Sequence, residues 1–377
     1  VKLRIERDVF AEAVTWTART IPTRPSLPIL SGIKIEALED GQLALSSYDP
    51  DISAHAVIEA AVDQPGEILV SGRLLADYLR ALPNKPVALE TQGAKLDLTC
   101  GASRMSMTSM PLEDYPDAPE LEGTSGTING AAWQQAVSQA VTAASTDDTL
   151  PLLVSVCIEI HGSDISLMAT DRYRLAVAKV NWEPADPEIE ARILVRASRL
   201  SDIARSLGTA GDVTMTIDNS GRTGAIGFAA AGRKSIARLI DGEYPQVLAL
   251  FPDEVAGYAV INRAEMLDAI KRARLVVEKN AAVRLEFSEG QVVLDAGQND
   301  NAQTSEALQV ALHGEPITMA FNPSFLQDGL SALTTDYLRL SYTHPTKPAV
   351  LTGQAEPEGE DSQDFRLLLM PIRTYSA

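Results

Sequence analysis

The sequence predicts an α+β chain of three similar segments, each made of two helix-plus-strands units. Three observations predict this. At 377 residues the chain is too long for one ordinary hydrophobic core. Amphipathic stretches of helical spacing recur at intervals of roughly 125 residues, and such internal repetition defines the architecture of a chain. After each stretch the apolar period falls from about 3.6 residues to about 2, the change that marks passage from helix to strands.

The first segment opens with DVFAEAVTWTARTI, whose Phe10, Ala13, Val14 and Ile21 form one stripe. ILSGIKIEA and QLALSS then alternate as strands, SGRLLADYLRAL is a second helix, and VALETQ and KLDLTC are strands again. The second segment repeats the plan. GAAWQQAVSQAVTAAS carries Trp133, Ala136, Val137, Ala140, Val141 and Ala144 on one face, followed by LVSVCIEI and DISLMAT, the helix ASRLSDIARSL, and the strands VTMTID and AIGFAA. The third begins at NRAEMLDAIKRARLVV, with Met266, Ile270, Ala273 and Val277 in register and Asn262 and Glu265 spaced as a capping box. AVRLEF and QVVLDAG follow, then NPSFLQDGLSAL, where Asn322 and Pro323 suit the N-cap and first helical position, then LRLSYT and AVLTG. Linkers rich in Pro, Gly and acids, around 111–126 and 241–257, carry the similar tetrapeptides EDYP and GEYP. The expected domains are 1–122, 123–253 and 254–377.

With 45% hydrophobic and 22% charged residues the chain reads as an ordinary globular protein. No apolar run approaches the ~18 residues of a membrane span, and the charged start VKLRIERDVF lacks a signal-peptide core. A cytoplasmic protein with no membrane partner is expected. Cys100 and Cys157 form neither a disulfide framework nor a metal spacing. The net charge of −19, taken as a total, argues against nucleic acid, but the distribution of charge decides. Arg24 follows the first helix; Arg73 and Arg80 lie on the next, with Lys85 after it. Arg196, Arg199 and Arg205 are assigned to the second helix of the middle segment, and Lys271, Arg272 and Arg274 to the first helix of the third. Acids crowd elsewhere, in EDYPDAPELE and AEPEGEDSQD. One charged helix face is ordinarily a solvated face; the bias of several helices together points to a cationic surface.

No catalytic residue, metal ligand or cofactor is expected. Asp49 with Asp51, and Asp147 with Asp148, are the carboxylate pairs a two-metal enzyme would need, but turn formation and capping account for both. His55, His161, His313 and His344 are scattered without metal spacing. GFAAAGRKS at 227–235 has the glycine spacing of a P-loop, yet Arg233 intrudes before Lys234 and SIARLI after it alternates as a strand, where a P-loop needs a helix. A nucleotidyltransferase is therefore disfavoured. An acidic peptide-binding scaffold that never touches DNA is the alternative of another class; it would have no use for the basic helix residues.

An ordered set of motifs spans the chain: RPSLPIL at 24–30, ATDRYRLAV at 169–177, DGEYP at 241–245, FNPSFL at 321–326 and LLMPIR at 368–373, with DDTLPLL at 147–153. Together they resemble the bacterial DNA sliding clamps, the beta subunits of DNA polymerase III, in the actinobacterial form. The resemblance implies three DNA-clamp domains per chain, helices inside and sheets outside, a head-to-tail homodimer forming a ring of six domains, and non-specific encirclement of duplex DNA. It implies partners that dock through short peptides: the polymerase III alpha subunit, the clamp-loader ATPase, other polymerases and repair proteins. The implied DNA contacts are Arg24, Arg73, Arg80, Arg196, Arg199 and Arg205. The implied peptide pocket comprises Leu153, Thr170, Arg172, Tyr173, Arg174, Leu175, Pro245, Leu250, Leu368, Leu369, Met370, Pro371, Ile372 and Arg373. Met105 and Met107 on one side, and Leu275 on the other, are the implied dimer contacts. Gln246 after the Pro of DGEYP, Ser155-Val156, and the terminal TYSA depart from the family pattern, which also allows a second clamp copy with altered partner or inhibitor binding.

Elementary geometry agrees. A domain of this size has a diameter of roughly 35 Å, so three in a closed triangle leave a hole of about 5 Å, and six in a ring leave one of about 35 Å. Duplex DNA is roughly 20 Å across. Two chains could encircle it where one could not.

Overall fold

The computed structural model describes residues 1–117, 121–218, 224–278, 281–299 and 302–373. Residues 118–120 of the first linker and the terminal extension 374–377 lie outside the described residues. The first segment runs β1 (Lys2–Ile5), α1 (Arg7–Ala18), β2 (Gly32–Ala37), β3 (Gln42–Asp49), β4 (Ile52–Glu59), β5 (Ala61–Gln64), β6 (Gly66–Ser71), α2 (Gly72–Ala81), β7 (Val87–Gln92), β8 (Lys95–Cys100) and β9 (Ser103–Thr108). The second runs β10 (Thr124–Asn129), α3 (Gly130–Val141), β11 (Ser155–His161), β12 (Asp164–Thr170), β13 (Arg174–Asn181), β14 (Glu183–Pro184), β15 (Glu190–Arg196), α4 (Ala197–Leu207), β16 (Asp212–Ile217), β17 (Ala225–Ala230) and β18 (Arg233–Arg238). The third runs β19 (Gly257–Asn262), α5 (Arg263–Ala273), β20 (Val283–Ser288), β21 (Gln291–Asn299), β22 (Ala302–His313), β23 (Ile317–Phe321), α6 (Pro323–Ala332), β24 (Tyr337–Tyr342), β25 (Ala349–Gln354) and β26 (Asp361–Leu369). The first two segments share one order of elements, and the third differs only in that the long β22, paired with β21 and then with β19, stands where the others have two strands, β4–β5 and β13–β14.

The apolar stripes behave as their spacing requires. Phe10, Ala13 and Val14 on α1, Trp133, Ala136, Val137 and Ala140 on α3, and Met266, Ile270 and Ala273 on α5 are all buried. Ile21 and Ala144 are also buried but lie past the ends of their helices, and Val277 lies past the end of α5. Ile21 packs so closely on the start of α2 that a side chain at Gly72 would overlap it. The predicted caps form: Asn262 Oδ1 accepts from Glu265 N at 3.1 Å, and Asn322 Oδ1 from Ser324 N at 2.9 Å with Pro323 first in the helix. Two assignments need correction. Arg196 is the last residue of β15, because α4 starts at Ala197, and Arg274 follows α5 as its C-cap. GFAAAGRKS is the hairpin β17–β18, turning at Ala231 (φ 48°) and Gly232 (φ 73°).

The described residues form two compact units by packing. Unit 1 is Val1–Gly130, Glu183–Asp186 and Asp202–Leu239; unit 2 is Ala131–Trp182, Pro187–Ser201 and Ile240–Ala377. The middle segment contributes to both, because its strands complete sheets begun by its neighbours. In unit 1, β18 pairs antiparallel with β4, from Arg233 opposite Ala56 to Ala237 opposite Ile52. In unit 2, β26 pairs antiparallel with β13, from Leu369 opposite Arg174 to Phe365 opposite Ala178. Each pairing joins the third strand after a segment's second helix to the third meander strand of the segment before. By this rule the outer edge of β9, which pairs only with β8, lacks a partner among the described residues, and so does the outer edge of β22 over residues 302–308, where only β21 is paired.

Each segment also closes alike. The backbone N–H of Met110, Ile240 and Ile372 donates to the carbonyl of Leu69, Leu194 and Ala320, each at 2.8 Å, and each acceptor stands three residues before a second helix. The tyrosines of EDYP and GEYP repeat one role. Tyr115 Oη accepts from Tyr48 N at 2.9 Å and donates to Gly32 O at 3.2 Å; Tyr244 Oη accepts from Thr170 N at 3.0 Å. Burial pushes the Tyr115 phenol up to about 12 and the Tyr244 phenol upward too, so both stay protonated. Tyr115→Phe and Tyr244→Phe should each strand a backbone N–H and cost about 1–3 kcal/mol in urea unfolding. Unchanged midpoints in both variants would contradict the shared latch.

Candidate functional site

The site is built in unit 2 around the turn between β12 and β13. Asp171 organises it: Oδ1 accepts from Tyr173 N and Arg174 N, both at 3.0 Å, and Oδ2 accepts from Arg174 Nε at 2.9 Å. Thr170 Oγ1 donates to Arg174 O at 2.7 Å and accepts from Arg172 N at 3.2 Å. The turn forces Arg172 to φ 80°, a left-handed conformation that is strained for any residue but glycine. It leaves Arg172 and Tyr173 exposed. Arg174 is different. Its Nη1 reaches Asp328 at 2.7 Å, its guanidinium lies 4.3 Å from the Phe325 ring centroid, and only 11% of its side chain is exposed. Arg174 therefore clamps the turn to α6.

Two remote stretches meet this turn. The linker after β18 crosses the sheet face, held by Tyr244 on Thr170 and by Arg192 Nη2, which donates to Tyr244 O at 3.1 Å. Tyr244 and Val247 are buried with Cys157, Met168, Leu175, Val177, Leu194 and Leu368, and Leu152, Ile240 and Phe251 pack against them. Burial raises the Cys157 thiol. The 3-10 turn Leu248–Leu250 then leaves Leu250 57% exposed. The chain end supplies the other stretch: β26 stops at Leu369, Met370 N donates to Tyr173 O at 2.9 Å, and Ile372 N reaches Ala320.

The result is an apolar dish. Tyr173, Leu250 and Met370 are 57%, 57% and 41% exposed, with Pro245 also exposed. Thr170, Leu175 and Leu368 are buried and form its floor; Leu369, opposite Arg174, is buried on the other face of β26, while Pro371 and Ile372 are half-buried and Arg373 is exposed. Leu153 is half-buried and its carbonyl accepts from Ser145 N at 2.9 Å; its neighbour Leu152 is the one that packs on the floor. Phe251, Leu248 and Arg366 were not singled out from sequence. The run VLALF at 247–251 was the available signal, since five consecutive apolar residues are unusual in a linker.

Three domain models of the DNA polymerase III beta subunit match in order: the N-terminal domain over 1–119, the central domain over 127–246 and the C-terminal domain over 248–373. The chain belongs to the beta sliding clamp family. It is 45% identical over 374 residues to the beta sliding clamp of Streptomyces coelicolor, covering 99% of both chains. Over 312 residues it is 45% identical to that of Micrococcus luteus, covering 83% of this chain and all of the relative. It is 35% identical over 375 residues to the beta sliding clamp homolog GriR of Streptomyces muensis, covering all of both. The Bacillus subtilis sliding clamp superposes with a TM-score of 0.90 at 25% identity, covering 99% of each chain. The actinobacterial resemblance read from the motifs is thus borne out. Like its family, this clamp is a non-catalytic polymerase III subunit, a processivity factor in DNA replication.

The clamp's other candidate residues divide by environment. Arg24 is exposed in the loop after α1, and no described carboxylate pairs with it. Arg73 donates from Nη2 to Ile21 O at 3.0 Å, and Arg80 to Asp77 at 2.8 Å. Arg205 lies 4.0 Å from Asp202, Arg199 is half-buried, and Arg196 pairs with Asp148 at 2.7 Å. On β9, Met107 is buried in its own core and Met105 half-buried against it, whereas Leu275 is 84% exposed. The carboxylates that sequence reading assigned to turns do form them: Asp49 Oδ1 accepts from Asp51 N at 3.1 Å, and Asp147 Oδ1 from Thr149 N at 3.0 Å. Asp171→Ala should free three donors at the dish, lower stability by about 2 kcal/mol, and speed hydrogen exchange at the Tyr173 and Arg174 amides. Unaltered exchange there would contradict the role given to Asp171.

Proposed function

We propose that two copies of this clamp close head to tail around duplex DNA, as a ring of six domains with helices inside and sheets outside. The domains are 1–122, 123–253 and 254–377. The observation that carries this reading is the pairing rule left unfinished within the chain. The free edge of β9 and the free edge of β22 at 302–308 are the two sites where the rule, applied twice already, has no partner. A second copy supplies both at once, and a heterologous contact that closes makes a ring. Leu275, 84% exposed, would be covered there, beside α5 whose Arg272 holds Glu306 of β22 at 2.7 Å. Met105 would contribute from β9.

Arg24, Arg73, Arg80, Arg196, Arg199 and Arg205 would meet phosphates without reading sequence. Encirclement, rather than tight contact, would retain the DNA. The dish would take short segments of the polymerase III alpha subunit, the clamp-loader ATPase, other polymerases and repair proteins, one per chain and two per ring. The exposure of Tyr173, Leu250 and Met370 supports this, since apolar side chains with Met form adaptable docking surfaces. A Pseudomonas aeruginosa sliding clamp has been crystallised with griselimycin bound, which supports a ligand-accepting surface in the family. Cytoplasmic location fits the same reading; no helix among the described residues is long and apolar enough to cross a membrane.

Two outcomes test the reading. Leu275→Asp should convert dimers to monomers at micromolar concentration in analytical ultracentrifugation; a wild-type protein already monomeric there would count against the ring. Clamp loaded on circular DNA should remain bound and should slide off after linearisation. Retention on the linear form would refute encirclement.

A further inference from the structure

We propose that the segment docking on the dish carries carboxylates beside its apolar anchors, and that Arg172, Arg366 and Arg373 receive them. This rests on the docking reading above and names the chemistry of the segment. In unit 2 six of the twelve arginines are already neutralised within the chain: Arg174 by Asp171 and Asp328, Arg192 by Glu159, Arg196 by Asp148, Arg272 by Glu306, Arg284 by Glu286, and Arg339 by Asp361. The chain holds 51 acids against 32 Lys and Arg, so partners are not scarce. Arg263 and Arg274 bond neutral acceptors, the carbonyls of Thr335 and Leu330 and the amide of Gln327. No described carboxylate pairs with Arg172, Arg366 or Arg373, which lie within two residues of the dish's Tyr173, Leu368 and Ile372.

Each is placed by a separate part of the structure. Arg172 adjoins Tyr173, its guanidinium 6.0 Å from that ring centroid, on a backbone at φ 80° that glycine would adopt without strain. Asp147, ionised and hydrogen-bonded by Thr149 N and Oγ1 at 3.0 and 2.7 Å, is near enough to share its field but makes no ion pair with it. Arg366 lies two residues before Leu368, hence on the same face of β26, with its guanidinium 4.3 Å from the Phe251 ring centroid and a buried Nε without a partner. Burial lowers its pKa. Arg373 follows Ile372, which is fixed to Ala320. A basic segment would meet repulsion from three sides. A wholly apolar one would cover Arg366 further while giving its donors nothing, a costly outcome for a guanidinium. Acidic residues flanking apolar anchors satisfy both demands and would raise the association rate.

A random twelve-residue peptide library displayed on phage, panned on the full chain and counter-selected on Leu250→Asp, tests this. Dish-dependent binders should carry Asp or Glu within a few positions of their apolar residues. Their synthetic Asn or Gln twins should bind about two- to five-fold more weakly, with the gap closing in high salt. Arg172→Gly, which suits the turn's backbone, and Arg373→Gln, which changes an exposed side chain, should narrow the same gap. Dish-dependent binders with no acidic bias, or twins of equal affinity, would overturn the inference while leaving docking intact. Absence of any dish-dependent binder would overturn the docking reading, and this inference with it.

Discussion

The third strand of each meander cannot be satisfied inside its own segment, and most of the architecture follows from that. A strand edge with free N–H and C=O groups must be paired, covered or exposed to water. Here β4 takes β18 and β13 takes β26, so each segment is sewn to the next through main-chain hydrogen bonds that do not depend on side-chain identity. Three segments of low mutual similarity can therefore keep one geometry while their surfaces diverge. The same constraint leaves β9 and the 302–308 edge of β22 as complementary ends, and it makes a second copy the simplest completion.

The constraint also makes the dish. Pairing β26 with β13 brings the chain end beside Tyr173, and the linker then crosses the seam to plant Tyr244 on Thr170. Unit 1 repeats this seam with different side chains. Arg238 N donates to Asp51 O at 3.0 Å, as Met370 N does to Tyr173 O at 2.9 Å, and Tyr115 caps Tyr48 as Tyr244 caps Thr170. Where the second seam exposes Arg172, Tyr173 and Met370, the first presents Pro50, Asp51 and Arg238. Its backbone frame is equivalent but its surface is charged, so one dish per chain is a consequence of side chains rather than of fold.

Much of this was legible in the sequence, and the remainder was hidden for physical reasons. Helices α1 to α6 showed themselves because 3.6-residue spacing of apolar groups is hard to produce by accident, and Asn262 and Asn322 marked two starts. The seam strands were less visible. SIARLI alternates and begins within β18, and Met105 and Met107 alternate in β9, but β26 begins in the acidic stretch DSQD and β22 opens with AQTSE, where no apolar alternation marks a strand. The dish was legible only as motifs. Which of its residues form the floor and which the surface depended on pairing that no local pattern encodes: Leu368 is buried, Met370 is not. Arg174 was implied only as a pocket residue, and its engagement with Asp328, far along the chain, could not be read locally.

The central claim is that the edges at β9 and β22 are completed by another copy of this chain. Backbone hydrogen exchange at several protein concentrations tests it most directly. The account predicts that amides over 103–108 and 302–308 are protected together at micromolar concentration and lose protection together on dilution, while β13 and β26 stay protected throughout. Rapid exchange at both edges at every concentration, in a protein otherwise folded, would contradict it.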